Sequence, residues 1–449
     1  MNSRLTTLAR TLKSTSKKLF SSSTQSTSTT SQFPQTLVGL RALLAAESPS
    51  LTDFADNLKS NSSYSVEVGT KKNPLSQAQM DEGGRPRRRE MASALSNSFN
   101  VTEFVVNQGN GVKGLADLGI EAVPQQYIQP LHERFDSSIT NPQHSTIPII
   151  DFSNSDDPQV KEAICEAAAN WGFFQIVNHG IPIDILHGLK ASVHRFFDLP
   201  VPEKRKYLKD SPSESVRLAT SFSPRAEQVL EWKDYLMMLY VSEDEASASW
   251  PPECRHEAIE YMKRAEIVIK RLLQVLLDKL NVKEIDKENE HMLMGAMRLN
   301  FNYYPKCPNP ELTAGVGRHS DISTITVLLQ DDSGGLFVHR EGDITDSWIH
   351  VPPVNGALVI NVGDVLQIMS NDLYKSVEHR AVPNRNTSRI SIPIFVNPEP
   401  QALIGPLPQV LESGERPIYK QVKYSDYFSH FFSKPHDGKK AIEFAKLHV

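Results

Sequence analysis

Cysteine is scarce. The 449 residues hold three, Cys165, Cys254 and Cys307, too far apart to read as a metal or disulfide pattern, and this usage fits a reducing compartment. Long apolar runs are missing too, so no segment offers the roughly 20 residues of a membrane-spanning helix. The body of the chain is short of base: residues 91–449 carry 35 Lys/Arg against 46 Asp/Glu. An acidic body without a basic stripe argues against a nucleic-acid partner. Residues 1–90 have the opposite shortage, with 13 Lys/Arg against 7 Asp/Glu and no acidic residue before Glu47. There Arg4, Arg10, Lys13, Lys17 and Lys18 stand among Ser and Thr, and Leu5, Leu8, Leu12 and Leu19 recur at near-helical spacing. That is the pattern of an organelle transit peptide; a polar, disordered tail without an address is the alternative.

What is present centres on Arg318-His319-Ser320-Asp321. In an extended segment residues i and i+2 point the same way, which aims the His319 imidazole and the Asp321 carboxylate at one point. His379 is the candidate third ligand. Ten residues later Arg389 and Ser391 form another i, i+2 pair, inside the β-branched run Ile390, Ile392, Ile394, Val396. Two histidines and a carboxylate on one face of an iron(II) ion leave open positions for a 2-oxo acid and O2. Arg389 would hold the far carboxylate of that acid through its guanidinium fork, and Ser391 would add a hydroxyl. A zinc hydrolase uses a similar ligand set but has no need of the Arg-x-Ser strand; a catalytically dead binding fold would not need the ligands at all.

His319-x-Asp321, His379 and Arg389-x-Ser391, preceded by Asn302-Tyr303-Tyr304-Pro305-x-Cys307-Pro308-x-Pro310, resemble the signature of the 2-oxoglutarate-dependent dioxygenases of plant specialised metabolism. The resemblance runs from about Thr102 onward. It implies an α+β protein whose double-stranded β-helix, or jelly roll, holds iron(II) between two sheets. It also implies that Asn302 and Tyr304 help to hold 2-oxoglutarate, with ascorbate as reductant. Glu231-Trp232-Lys233-Asp234-Tyr235, Tyr240–Ala246 and Pro435-His436-Asp437-Gly438-Lys439-Lys440 resemble the feruloyl-CoA 6′-hydroxylases within that family. The resemblance therefore implies an aromatic CoA thioester as substrate, hydroxylated on the way to a coumarin such as scopoletin. Related members acting on scopoletin itself or on a flavonoid are the alternative. Phe395 is a candidate for stacking on the aromatic ring or for the core. Lys434, Lys439 and Lys440 are candidates for CoA phosphates or for a solvated face.

A second resemblance covers residues 1–74. Phe33–Leu37 and Tyr64–Lys72 are similar to the N-terminus of plant mitochondrial lipoyl synthase, yet residues 1–164 lack every cysteine that family needs for its clusters. Three regions follow: 1–90, a transit-like or disordered segment; 91–290, a mixed helical region; and 291–449, the catalytic jelly roll with a C-terminal helix. A protein starting at Met91 is expected in the cytoplasm, and one that keeps the first segment in mitochondria. A monomer is expected, with neither membrane nor nucleic acid as partner.

Periodicity predicts helices over Pro158–Asn170, Ile183–Phe197 and Cys254–Leu280, the last with an apolar stripe. Ile147–Phe152 and Trp171–Val177 read as strands, and from Met297 many short strands separated by turns suggest a sandwich or jelly roll. Pro212–Ala226, polar and Ser-rich, reads as a loop near the pocket mouth. Asp364 is expected to cap a short helix over Val365–Ser370, and Tyr424–Leu447 to be helix broken near Pro435. His179, in an Asn-His-Gly turn, and Cys307 are expected to be structural.

Overall fold

The structure, a computed structural model, describes residues 99–447 apart from breaks at 136–145, 209–214, 223, 225–227, 286, 340–347, 413, 434–435 and 437. The transit-like reading of residues 1–90, the kink at Pro435 and Lys434 all lie outside the described residues. No helix among the described residues is long and apolar enough to cross a membrane.

Twelve strands build two sheets. In chain order they are β1 (Ile149–Asp151), β2 (Phe173–Val177), β3 (Val216–Thr220), β4 (Asp234–Tyr240), β5 (Ala296–Tyr304), β6 (Val316–His319), β7 (Ile325–Gln330), β8 (Leu336–His339), β9 (Trp348–His350), β10 (Leu358–Val362), β11 (His379–Ala381) and β12 (Arg389–Asn397). The major sheet runs β1-β2-β10-β7-β12-β5-β4-β3 and the minor sheet β6-β11-β8-β9. Apart from the parallel β1–β2 pair, neighbours in both sheets are antiparallel.

Alternation divides the major sheet into two faces. Along β12, Ile390, Ile392, Ile394 and Val396 are buried in the core, while Arg389, Ser391, Pro393, Phe395 and Asn397 line a cavity. β5 repeats the division, with Leu299, Phe301 and Tyr303 in the core and Arg298, Asn300, Asn302 and Tyr304 on the cavity. Side chains of a strand point to opposite faces with period two, so one sequence run supplies both the core and a polar wall. Pro393 has no N–H to donate, and the ladder from β12 to β5 is interrupted at Ile392-Pro393 while the ladder to β7 runs through.

Helices back the apolar face. α1 (Gly111–Asp117), α2 (Pro158–Asn170), α3 (Ile183–Phe197), α4 (Arg255–Lys279), α5 (Asp364–Met369) and α6 (Tyr424–Phe432) are those used below. The Asp157 side chain caps α2 through the Gln159 N–H at 2.8 Å, with Pro158 in the first turn. In α4, Ala258, Met262, Ala265, Ile269, Leu272 and Leu276 are fully buried at spacings of three and four, the stripe that packs a helix on a core. α1 is tied down by Asp234 of β4, whose carboxylate accepts from the N–H of Val112 and of Lys113, both at 2.8 Å. Gly111 has φ +71°, and a Cβ there would stand 2.5 Å from that carboxylate, so the contact requires glycine.

Three expectations change. Within Pro212–Ala226 the structure forms β3, paired to β4 from Val216↔Met238 to Thr220↔Asp234. Its buried–half-buried alternation is present in Val-Arg-Leu-Ala-Thr, but the Ser- and Pro-rich flanks outweigh it in composition. β6 ends at His319, so Asp321 is not in a strand; its carbonyl is instead fixed by the Asp364 N–H at 2.7 Å. Asp364 is not the cap of α5: Gly363 takes that position, and the Asp364 side chain turns inward.

Candidate active site

The cavity lies between the two sheets and encloses about 1110 Å³ of unfilled space, part of it continuous with solvent. Its wall contains eight of the residues singled out from the sequence, His319, Asp321, His379, Arg389, Ser391, Asn302, Tyr304 and Phe395, and Lys439 and Lys440 are not among its lining residues.

His319 and His379 face each other across the β6–β11 pair. One ligand atom from each, together with one from Asp321, lie within 4.8 Å of one another. Each imidazole has Nδ1 against a backbone carbonyl, Gly317 O at 2.8 Å for His319 and Val377 O at 3.1 Å for His379. A carbonyl only accepts, so Nδ1 carries the proton and Nε2 turns its lone pair inward. Those Nε2 atoms stand 3.6 and 3.7 Å from Asp321 Oδ1. Asp321 Oδ2 is occupied elsewhere, accepting from Thr326 Oγ1 at 2.7 Å and Asn361 Nδ2 at 2.8 Å. One carboxylate oxygen is thus anchored and the other left to a cation. Burial, with His379 and His436 nearby, pushes His319 well below the ordinary histidine range, which keeps it neutral. Burial alone would raise Asp321; the two histidines and the two donors outweigh it and hold the carboxyl below its usual value. The donor set of two imidazoles and one carboxylate fits a divalent iron centre.

The second cluster lies at the start of β12. Ser391 Oγ meets Asn302 Nδ2 at 3.3 Å and Tyr304 Oη at 3.4 Å. The Arg389 guanidinium lies 4.8 Å from the centre of the Tyr304 ring. Arg389 is 1 % exposed. Its Nε donates to Gly334 O at 2.6 Å, while one terminal nitrogen has no hydrogen-bond partner among the described residues. Gly335 makes that turn possible: its φ is +96°, and a Cβ would stand 2.5 Å from Val382 O. A buried guanidinium without a carboxylate is costly, and the orphaned N–H fits the distal carboxylate of a bound 2-oxo acid.

The far end of the cavity is aromatic. Arg298 lies over the rings of Phe395 and Phe428, at 5.8 and 5.2 Å. Phe222, Phe431, Phe432 and His436 also line it, and His436 stacks on Phe222 with ring centres 3.8 Å apart. The sequence reading gave Phe222 and His436 no role in the site. Lys439 is half-buried with its backbone N–H on Glu378, and Lys440 is exposed. His179 is structural: Nε2 meets Gly356 O at 2.9 Å and Nδ1 accepts from Ile181 N–H. Cys307 is buried, and burial pushes its thiol up to about 12.

Behind the ligands lies Asp364, fully buried. Its carboxylate accepts from Ser320 at 3.2 Å, Ser376 at 2.6 Å and Tyr427 at 2.7 Å. Ser320 sits between His319 and Asp321, Ser376 precedes His379 by three residues, and Tyr427 belongs to α6. Burial pushes the Asp364 carboxyl up, against the three hydroxyls that pull it down.

Two family models match this chain: the 2OG-Fe(II) oxygenase superfamily over residues 295–398, and the N-terminal region of non-haem dioxygenases in morphine synthesis over residues 147–257. The chain is 59 % identical over 359 residues to a feruloyl CoA ortho-hydroxylase of Ipomoea batatas, covering 80 % of this chain and 99 % of that one. It is 56 % identical over 349 residues to a bi-functional coumaroyl CoA and feruloyl CoA ortho-hydroxylase of Ruta graveolens, covering 77 % and 95 %. Among solved structures, JOX2 in complex with 2OG, Fe and JA matches with a TM-score of 0.66 at 32 % identity, over 75 % of this chain and 97 % of that one.

Proposed function

Because the chain belongs to the 2OG-Fe(II) oxygenase superfamily, we propose that this dioxygenase ortho-hydroxylates the ring of feruloyl-CoA, on a route to scopoletin and related coumarins. The single observation that carries the reading is the conjunction, in one cavity, of a two-histidine, one-carboxylate cluster with an orphaned, buried Arg389. The relatives at 55–59 % identity that are named for this substrate direct the choice of ring.

His319, Asp321 and His379 would hold iron(II). With 2-oxoglutarate and O2 bound there, the metal supplies the oxidising chemistry that inserts oxygen into a C–H bond and leaves succinate and CO2. The chain's own residues do the rest. Arg389 and Ser391 would bind the distal carboxylate of 2-oxoglutarate, with Asn302 and Tyr304 holding Ser391 in place. Thr326 and Asn361 orient Asp321 so that one oxygen serves the ion. Phe395, Phe222, Phe431 and Phe432 would position the aromatic ring and exclude water, so that the pocket chooses the carbon. The CoA portion, too long for the cavity, would extend outward and supply binding energy remote from the reacting carbon.

Residues 291–449 would carry the chemistry, residues 91–290 would support it, and residues 1–90 would be dispensable for turnover. The enzyme would act as a monomer with ascorbate as reductant, without nucleic acid, in the cytoplasm when made from Met91 and in mitochondria when the first segment is translated.

Mass spectrometry of products from feruloyl-CoA, p-coumaroyl-CoA, free ferulate, scopoletin and a flavonoid tests the reading. With iron(II), 2-oxoglutarate and O2, feruloyl-CoA should give its 6′-hydroxylated ester and scopoletin, while free ferulate stays largely untouched. Preference for scopoletin or for the flavonoid would overturn the substrate and leave the reaction class.

A further inference from the structure

His436 is the least explained polar group in the cavity. Its side chain is 9 % exposed, yet neither ring nitrogen has a hydrogen-bond partner among the described residues. Buried polar atoms are normally paired, and an exception in a binding cavity asks for a ligand. The nearest acidic atom, Glu231 Oε1, stands 3.8 Å from Nε2. It is already committed, accepting from the Gly317 N–H at 2.7 Å, and Glu231 Oε2 pairs with Lys233 Nζ at 3.0 Å. The ring itself is well held, stacked on Phe222 and edge-on to Phe431, with its centre 4.6 Å from that of His319.

We infer that His436 contacts the substrate directly, one ring N–H donating to the carbonyl oxygen next to the thioester sulfur of the hydroxycinnamoyl group. The inference rests on the reading of this cavity as the thioester site. Its chemistry follows from the substrate. The ortho carbon must face the metal ligands, and only the ring junction and the two vinyl carbons separate it from the carbonyl. A ligand so placed brings that oxygen beside the same ligands, where His436 sits. Neutral imidazole has one N–H to donate, and the thioester carbonyl oxygen has a lone pair to accept it. The bond would fix rotation about the ring–vinyl axis and so select which ring carbon meets the metal.

His436→Phe separates this role from packing, because it keeps a ring on Phe222 and removes both nitrogens. We expect KM for feruloyl-CoA to rise roughly tenfold, the worth of one buried hydrogen bond left unmade, with KM for 2-oxoglutarate and the iron requirement unchanged. More 2-oxoglutarate should be consumed per hydroxylated product, because a loosely held ring is missed more often. His436→Gln, which restores a donor, should recover part of the loss. His436→Phe behaving like the wild type would overturn the inference, and so would a changed iron requirement, which would assign His436 to the metal. A wild type that ignores all hydroxycinnamoyl thioesters overturns the substrate reading, and this inference with it; a wild type that accepts them beside an unaffected His436→Phe overturns this inference alone.

Discussion

The two ends of the cavity are built differently. The Arg389 end comes from strands: Asn302 and Tyr304 on β5 face Ser391 and Arg389 on β12 across a fixed register. The aromatic end is assembled from a segment after β3, from α6 and from the residues that follow it, supplying Phe222, Phe431, Phe432 and His436. A ladder fixes side-chain positions to within a fraction of a residue spacing, whereas helix and loop side chains depend on packing alone. The first end suits a co-substrate that is the same in every turnover. The second suits the part of the reaction that distinguishes one enzyme of this superfamily from another.

The sharpest way to break this contrast is to remove what both ends share. His319→Ala, Asp321→Ala or His379→Ala should each abolish turnover with every substrate, with iron content measured on the purified variants. Near-native turnover with iron retained in any of them would remove that residue from the ligand set. Next, Thr326→Val deletes one of the two donors to Asp321. Iron affinity should fall about 10–100-fold, the usual effect of losing such a partner, while KM for 2-oxoglutarate at saturating iron stays put; titration of the apoenzyme reads the first and steady-state kinetics the second.

Arg389→Lys then tests the strand-built end alone. Lysine keeps the charge and loses the fork, so KM for 2-oxoglutarate should rise roughly tenfold with KM for feruloyl-CoA unchanged. Phe431→Leu, in α6, tests the other end. An aromatic contact is worth about 0.5–1.5 kcal/mol, so KM for the thioester should rise about two- to tenfold and KM for 2-oxoglutarate should not move. Equal effects on both constants from either variant would mean that the two ends are not independent. The smallest effect is expected from a chain starting at Met91, whose turnover and melting temperature should match those of the full chain.

The same contrast explains what could be read from the sequence. Period-two alternation in Arg389–Asn397 and in Met297–Tyr304 announces both a strand and a polar wall, so the Arg389 cluster is legible before any coordinates. Helices α2 and α3 fall on the expected residues, Pro158–Asn170 and Ile183–Phe197, because Asp157-Pro158 and Pro182 mark where they start. β4 is not anticipated, and β3 is hidden in a Ser-rich stretch; their burial depends on pairing with each other and with β5. Phe222 and His436 lie 214 residues apart in the chain, and no local pattern links them. The one available signal is the Pro-His-Asp-Gly run, which family resemblance marks without saying what the histidine does. Asp364 is misjudged for a related reason: Gly-Asp ahead of an apolar turn has the local appearance of a cap, and the three hydroxyls that claim its carboxylate come from outside that turn, 12 to 63 residues away.

The partners of that buried carboxylate are synthesised at different times, Ser320 and Ser376 before Tyr427. Tyr427 follows His379 by 48 residues, a lag of several seconds at roughly 5–20 residues per second. Throughout that interval the nascent polypeptide carries the His319, Asp321 and His379 cluster and both serine partners of Asp364, but not the phenol. A message truncated between the codons for His379 and Tyr427 would encode a polypeptide that can meet iron before the carboxylate behind its ligands is satisfied. Completion of α6 therefore delivers the phenol for Asp364 and two rings of the aromatic wall, Phe431 and Phe432, in one element.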